Sequence, residues 1–228
     1  MAAATGRLRV DLHCHSSASF DGAIDPVLLV ELAHERRLTH LAITDHDTID
    51  GALAARDSAH GGVRVIVGQE VRTAEGDIIA LFIERSIPSG RGLEESVELV
   101  RQQDGLVGLA HPFDVRRPSV GRGTGRTAAL RRLATLADYI EVHNGRVQDS
   151  ASNARAANLA LEYGLPGVAV SDAHLEAEVG TAATVLSGAI ETADGLRRSL
   201  GGDSGLAVRE PYLDAGGRIS RWLARGRE

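Results

Sequence analysis

Short apolar runs alternate with longer amphipathic segments along the chain. The short runs are rich in β-branched residues and end in polar residues, which predicts buried strands. Strands are predicted near residues 8–15, 40–46, 63–71, 77–84, 105–112, 139–144 and 166–174, with a weaker one near 182–187. Between them, apolar residues at helical spacing predict helices near residues 26–37, 49–60, 93–103, 127–137, 151–163 and 192–200.

This alternation favours an α/β fold, with βα units around a parallel sheet or barrel. Several strands are apolar on both alternating faces, as expected where helices cover one face and a barrel interior covers the other. The first helix has a clear start, with Asp25 at the N-cap and Pro26 at the first helical position. A chain of 228 residues without an internal repeat suits a single domain.

Composition narrows the classes of function. The formal net charge of -6 argues against bulk attraction to nucleic acid or to an anionic membrane. All 25 basic residues are arginine, which excludes Schiff-base lysines, P-loop lysines and carboxylated-lysine metal bridges. Cys14 is the single cysteine, so an internal disulfide and a cysteine-rich zinc site are excluded. Since no apolar run could cross a bilayer and no signal peptide is recognisable, we expect a soluble cytoplasmic protein.

Histidines and carboxylates gather where the predicted strands end. In α/β barrels and open sheets these carboxyl ends carry the active site. Asp11, His13 and His15 are two residues apart, so they share one face of the first strand. Further strand ends carry Asp45, His46, Glu70, His111, Glu141, His143, Asn144, Asp172 and His174.

Such repetition is difficult to explain without a metal site. One histidine at a strand end is more often a satisfied polar residue than a ligand, but six of the nine histidines lie at these ends. We interpret the set as a polynuclear centre. Nitrogen and oxygen ligands without thiolate suit divalent Mn, Zn or Fe, and Glu70 is the best candidate for a bridging carboxylate.

The ordered motifs DLHCHSSASFDG, ITDHDT, GQEV, AHP, EVHN and SDAH resemble the four-motif signature of the PHP family, the polymerase and histidinol phosphatase domain. The resemblance spans Asp11 to His174. It implies a distorted barrel of seven βα units with a trinuclear metal centre that hydrolyses phosphate esters. We place this single domain at residues 8–205, between a disordered tail at 1–7 and a C-terminal extension at 206–228.

The resemblance also implies roles for individual residues. The first metal would be bound by His13, His15, Glu70 and Asp172, and the second by Glu70 and His111. The third would be bound by His46 and His174, with Asp21 as a further ligand. Asp45 would contact a ligand or donate a proton.

Two departures from the family pattern matter. Many members have a histidine near residues 77–79, where this sequence has none. His143, expected on the same face of its strand as Glu141, could complete the second metal site instead. The loop before Asp21 is also one residue longer than the compact form of the motif.

A metal centre of this kind can hydrolyse phosphate esters. Adjacent cations lower the pKa of a shared water, so that hydroxide is available at neutral pH. Arg116, Arg117 and Arg146 are nearest in sequence to the expected ligands, and we expect them to bind phosphate oxygens as catalytic residues. The alternative is that these arginines are solvated charges on loops.

The substrate is expected to be a small phosphomonoester, a nucleotide or a short oligonucleotide. An aromatic content of 3% gives few stacking platforms and argues against a long nucleic-acid strand. Two other classes stay open, an amidohydrolase-type metal-dependent hydrolase and a non-catalytic metal-binding interaction domain. The sequence leaves substrate identity and oligomeric state undetermined.

Overall fold

The computed structural model describes residues 7–58, 62–121, 127–202, 205–208, 211–213 and 219–222. Of the tail expected at 1–7 only Arg7 is among them, and the extension expected at 206–228 is described in part. The helices of this part of the chain are α1 (Pro26–Glu35), α2 (Asp50–Asp57), α3 (Leu93–Arg101), α4 (Thr127–Leu136), α5 (Ser150–Tyr163) and α6 (Ala193–Leu200). Each overlaps a predicted helix.

The first eight strands follow the predicted runs, and three further strands among the described residues lie beyond the last predicted helix, where no strand is predicted. They are β1 (Leu8–Asp11), β2 (His40–Ile43), β3 (Arg64–Arg72), β4 (Asp77–Leu81), β5 (Leu106–Leu109), β6 (Tyr139–Asn144), β7 (Gly167–Val170), β8 (Ala182–Leu186), β9 (Gly205–Val208), β10 (Pro211–Leu213) and β11 (Ile219–Trp222). The boundary expected between residues 205 and 206 falls inside β9, which pairs with β8. No helix in the described ranges is long and apolar enough to span a membrane.

Within the described residues, one sheet contains strands in the order β7-β6-β5-β4-β3-β2-β1-β8-β9. The strands β1, β2 and β3 are parallel, as are β5, β6 and β7. The sheet is nearly closed, because the segments after β1 and β7 pair at Cys14 and Ala173. The N–H of His15 donates to the carbonyl of Ala173 at 2.8 Å. The expected α/β barrel in a single domain is therefore confirmed.

The strand β4 runs against both of its neighbours. It follows β3 through a tight turn in which Gly76 has a φ of +144°, and a Cβ there would lie 2.6 Å from the backbone nitrogen of Val120. Since β4 is reversed, its first residue lies beside the carboxyl end of β3, where Arg72 pairs with Asp77. Asp77, the first residue of β4, therefore lies at the edge of the sheet where the parallel strands end.

Buried apolar side chains form two clusters, and neighbouring strand residues alternate between them, as Ile78 and Ile79 do. One cluster includes Leu29 and Leu133 from the helices, and it forms the layer between helices and sheet. The other contains Tyr139 and fills the barrel interior. Apolar packing on both faces leaves the loop-covered carboxyl edge as the place where buried polar groups gather.

Candidate metal centre

Three side chains from two strand ends form the inner group, His13, His15 and Glu70. The Nε2 atoms of His13 and His15 lie 3.0 Å apart, and Glu70 Oε2 lies 3.2 Å from each. All three residues are buried. Two imidazole nitrogens at this distance need a proton or a cation between them, because their lone pairs otherwise repel. Nitrogen and oxygen donors converging on one point suit a divalent metal ion.

Asp172 lies against the inner group. Its Oδ1 is 3.5 Å from His13 Nε2 and 3.4 Å from His15 Nε2. Within the described residues this buried oxygen accepts no hydrogen bond, whereas Oδ2 accepts bonds from Arg117 and Asn144. Burial opposes ionisation, yet His13 and Arg117 hold the pKa of Asp172 well below its ordinary value. Oδ1 is therefore a negatively charged oxygen that lacks a hydrogen bond and points toward the two imidazoles.

The second group contains Glu70, Asp77 and His111, all buried. His111 Nε2 lies 2.8 Å from Glu70 Oε1, so Glu70 turns one oxygen toward each group. This is the arrangement a bridging carboxylate needs. Burial, reinforced by the charge of Glu70, raises the pKa of Asp77 to about 7. A nearby cation would stabilise the ionised form of Asp77.

The rim group contains His15, Asp21, His46 and His174. Asp21 Oδ2 lies 3.3 Å from His46 Nε2 and 3.1 Å from His174 Nε2. The side chain of Asp21 is 32% exposed, whereas the carboxylates of the other two groups are buried. The charges of His46, His174 and His15 lower the pKa of Asp21 against its partial burial. A cation here would sit at the solvent boundary of the site.

Contacts on the far side of the imidazoles fix their direction. Glu141 Oε1 lies 2.7 Å from His13 Nδ1, and Ser19 Oγ lies 3.3 Å from His15 Nδ1. Ser119 Oγ lies 3.2 Å from Nδ1 of His111. With Nδ1 engaged, each ring presents Nε2 to the cluster, as outer partners of metal-bound histidine do.

The charge balance of the inner group favours cations. Although burial opposes protonation, Asp172, Glu141 and Glu70 raise the pKa of His13 well above its ordinary value. Against its burial, the neighbouring carboxylates of Asp172 and Glu70 raise the pKa of His15 to about 9. The carboxylates thus attract positive charge strongly enough to hold protons on buried imidazoles. Divalent metal ions would replace these protons, and the residues present fit such ions.

The family comparison gives two matches. The chain matches the PHP domain over residues 11–122 and the PHP-associated region over residues 151–202. An uncharacterized protein of Methanocaldococcus jannaschii is 30% identical over 167 residues, which cover 68% of this chain and 92% of that protein. The chain belongs to the PHP family. The expectation of a phosphoesterase is thereby confirmed at the level of the family.

Two further likenesses extend this finding. The 5'-3' exoribonuclease of Haemophilus influenzae is 37% identical over 100 residues, 42% of this PHP chain and 36% of that enzyme. A two-domain protein of Bacteroides vulgatus that contains a predicted PHP-like metal-dependent phosphoesterase superposes with a TM-score of 0.73 at 20% identity. That superposition covers 90% of this chain and 65% of the other, and it shows a shared fold.

His143 lies outside all three groups. The expectation that it shares a face with Glu141 is wrong, because a β-bulge shifts the pairing of β6 with β7 between these two residues. Asn144 shares the inward face instead, and its amide donates to Glu141 Oε2 at 2.9 Å. His143 is partly buried, and burial alone lowers its pKa.

Asp45 does not turn toward the metal-binding groups. Both its oxygens accept hydrogen bonds from Ser16, one from the backbone N–H at 2.6 Å and one from the hydroxyl at 2.7 Å. Burial raises the pKa of Asp45 against these bonds. Asp45 therefore anchors the loop that begins at Ser16 and carries Asp21.

The three arginines have different surroundings. Arg117 bonds Asp172 through Nη1 and Asp114 through Nε, the latter at 2.7 Å. Arg146 Nη1 lies 3.2 Å from Glu178 Oε2. Arg116 is exposed on the loop that follows His111. The structure thus brings Arg117 into the site, pairs Arg146 with a carboxylate and leaves Arg116 at the surface.

Sequence reasoning missed the role of Asp77 and the contact of Glu141 with His13. The sequence shows that residues 77–79 contain no histidine, but the strand reversal that brings Asp77 to the site has no local signal. Glu141 is recognisable as a strand-end carboxylate, but its partner is not. The serines at 19 and 119 carry no signal in the sequence, because hydroxyl residues are frequent in such loops.

Proposed function

We propose that this chain is a metal-dependent phosphoesterase that hydrolyses a small phosphomonoester, a nucleotide or a short oligonucleotide. The observation that carries the proposal is the convergence of His13 Nε2 and His15 Nε2 on Glu70 Oε2, with 3.2 Å from each nitrogen to that oxygen. Mn, Zn or Fe in the divalent state suits these donors, and we propose up to three ions per chain.

We base the proposed ligand assignment on the three groups. His13, His15, Glu70 and Asp172 would hold the first ion, and Glu70, Asp77 and His111 the second. Asp21, His46 and His174 would hold the third. When bound, such ions neutralise charge on a phosphate group and lower the pKa of a water molecule.

Asp172 and Arg117 act as a pair in this proposal. The guanidinium of Arg117 holds Oδ2 of Asp172, which leaves Oδ1 directed at His13 and His15. Arg117 is therefore a positioning residue. Asp45 positions the loop that carries Asp21 through its two bonds to Ser16, and in this proposal it does not donate a proton.

Arg116 and Arg146 stay candidates for binding phosphate oxygens. Arg116 is exposed near His111, and its charge is available to an arriving anion. Arg146 would have to exchange Glu178 for a phosphate group, and a pair at 3.2 Å near the surface costs little to break.

An RNA end is a second candidate substrate. The exoribonuclease of Haemophilus influenzae shares 37% identity over the part of this chain that it matches. That relative is named for the removal of nucleotides from an RNA end. For this chain, the likeness favours an RNA end as substrate over an unrelated metabolite. The expectation against a long strand stays a prediction.

The first experiment compares two histidines on neighbouring strand ends. His111→Ala removes a proposed ligand, and His143→Ala removes a partly buried histidine that lies outside the metal-binding groups. Each protein is loaded with Mn and analysed for metal content and for hydrolysis of an aryl phosphate, nucleotides, a short RNA and an aryl amide. We expect wild type and His143→Ala to bind two or three ions and to cleave phosphate esters, and His111→Ala to lose metal and activity.

Three results would contradict the proposal. Cleavage of the amide alone would indicate an amidohydrolase-type enzyme. Retention of metal without hydrolysis of any ester would indicate a metal-binding interaction module. Equal loss in both variants would show that His111 has no special role as a ligand.

A further inference from the structure

Phe20 is an exposed aromatic residue at the mouth of the site. It lies directly before Asp21 of the rim group, and its side chain is 79% exposed. Among the residues whose side chains the structure describes, it is the only aromatic member of the large exposed apolar set. An exposed aromatic ring beside a proposed metal ligand can contact a molecule that binds there.

The ring is held in a defined orientation. Phe20 stacks on the imidazole of His46, with the ring centroids 4.9 Å apart and the planes 23° apart. Since most of the side chain is exposed, its outer surface is accessible to a ligand at the site mouth. A planar group could stack there without moving His46.

The loop that carries Phe20 is fixed at several points. Ser16 is bound by Asp45, and the N–H of Ser17 donates to the carbonyl of Ile24 at 2.7 Å. The N–H of Ala23 donates to the carbonyl of His174 at 3.1 Å. These bonds tie both sides of the loop to the site, so an arriving ligand meets a ring that is already positioned.

The ring lies beside charged groups of the site. Asp21, the next residue, has its Oδ2 atom 3.3 Å from His46 Nε2 and 3.1 Å from His174 Nε2. An exposed apolar ring next to these proposed metal ligands matches a ligand with an anionic phosphate and a flat, weakly polar part.

We propose that Phe20 is a stacking platform for the nucleobase of a nucleotide whose phosphate is bound by the metal groups. This rests on the proposed function and narrows its substrate class to nucleotides or nucleotide ends. A nucleobase can stack on phenylalanine whatever its hydrogen-bonding pattern, because every base has an aromatic face. The platform would therefore recognise the presence of a base without selecting which one.

The test uses two ligands that differ only in the base, adenosine 5'-monophosphate and ribose 5-phosphate. Calorimetry measures their dissociation constants with metal-loaded wild type, Phe20→Ala, Phe20→Trp and Leu161→Ala. Leu161 is a matched control, because it is 82% exposed on α5 and lies outside the site. Metal content is measured for every variant.

We expect wild type to prefer the nucleotide by about 5-fold to 150-fold, the range that base–aromatic stacking supports. In Phe20→Ala the ratio of the two dissociation constants should fall toward 1, and in Phe20→Trp and Leu161→Ala the preference should persist. A persistent preference in Phe20→Ala would overturn the inference.

The outcomes also separate the inference from the proposed function. Binding of both ligands by wild type without preference would overturn the role of Phe20 and leave a phosphoesterase. Binding of neither ligand by metal-loaded wild type, together with no ester hydrolysis, would overturn both. Equal weakening of both ligands in Phe20→Ala would show that the ring acts through His46, and would overturn base stacking.

Discussion

The pKa of a buried histidine shifts in opposite directions at the two ends of the barrel. At the carboxyl end, the carboxylates of Asp172 and Glu70 raise the pKa of His15 to about 9 in spite of its burial. At the amino end, burial and the nearby charge of Arg64 lower the pKa of His40 to about 4. Both rings are buried. The difference therefore comes from neighbouring charge and hydrogen bonds rather than from burial.

This contrast separates an ion-binding environment from a structural one. Carboxylates surround His15, so positive charge is stabilised there and a cation is favoured. His40 keeps a neutral ring, with Nδ1 at 3.0 Å from Thr39 Oγ1 and no hydrogen-bond partner for Nε2 among the described residues. A buried histidine therefore indicates a metal site only where carboxylates share its environment.

The largest expected effect comes from removing the carboxylate shared by two groups. In Glu70→Gln we expect activity to fall to background and at least two ions to be lost, because a neutral amide cannot bridge two cations. Elemental analysis of the dialysed protein and ester hydrolysis measure the two effects. Retention of two ions with measurable turnover would remove Glu70 from its bridging role.

A smaller effect is expected at the rim. Asp21→Asn keeps one oxygen donor but loses the charge, so the affinity of the third ion should fall by about 10-fold to 100-fold. Metal titration should show that the two inner ions stay bound. Thermal unfolding is the control for a loss of folding, because the side chain of Asp21 is 32% exposed and contributes little to packing. Loss of all ions together would mean that the rim and inner sites are not independent.

The smallest effect is expected at the amino end. The folded-state pKa of His40, about 4, lies below the ordinary value of 6.5, so the unfolded state binds more protons between these values. The stabilisation by neutral His40 is therefore fully present above about pH 6.5 and is lost as the pH falls toward 4.

His40→Gln removes this dependence. Between pH 7.5 and pH 5.5, we expect the free energy of unfolding of wild type to fall by about 1 kcal/mol more than that of the variant, after allowance for solvent screening. Denaturant unfolding of both proteins in chelator keeps metal loss out of the comparison. If the free energy of unfolding changed with pH equally in the two proteins, the pKa of His40 would be the same in the folded and unfolded states.

Much of the molecule could be predicted from the order of residues. Apolar periodicity located the helices, and the strand ends pointed to His13, His15, Glu70 and His111. The helices are confirmed because periodicity is a local property, and the strand-end residues lie together because parallel strands bring their ends to one edge of the sheet. The roles of these residues as metal ligands stay predictions. The family motifs carried the same information in another form.

Local patterns were insufficient where the backbone departs from regular geometry. A bulge in β6 turns His143 away and brings Asn144 inward, and no residue pattern marked it. The reversal of β4 places Asp77 beside Glu70 and His111. Both outcomes depend on how strands pair with distant neighbours.

The sequence by itself determined the α/β elements, the family and the residue types of a metal centre. Only the tertiary structure decided which donors converge, that Glu141 orients His13, and that Phe20 stacks on His46. The physical reason is distance along the chain. Secondary structure is set by neighbouring residues, whereas a site made from residues as far apart as His13 and Glu141 is set by strand register and loop anchoring.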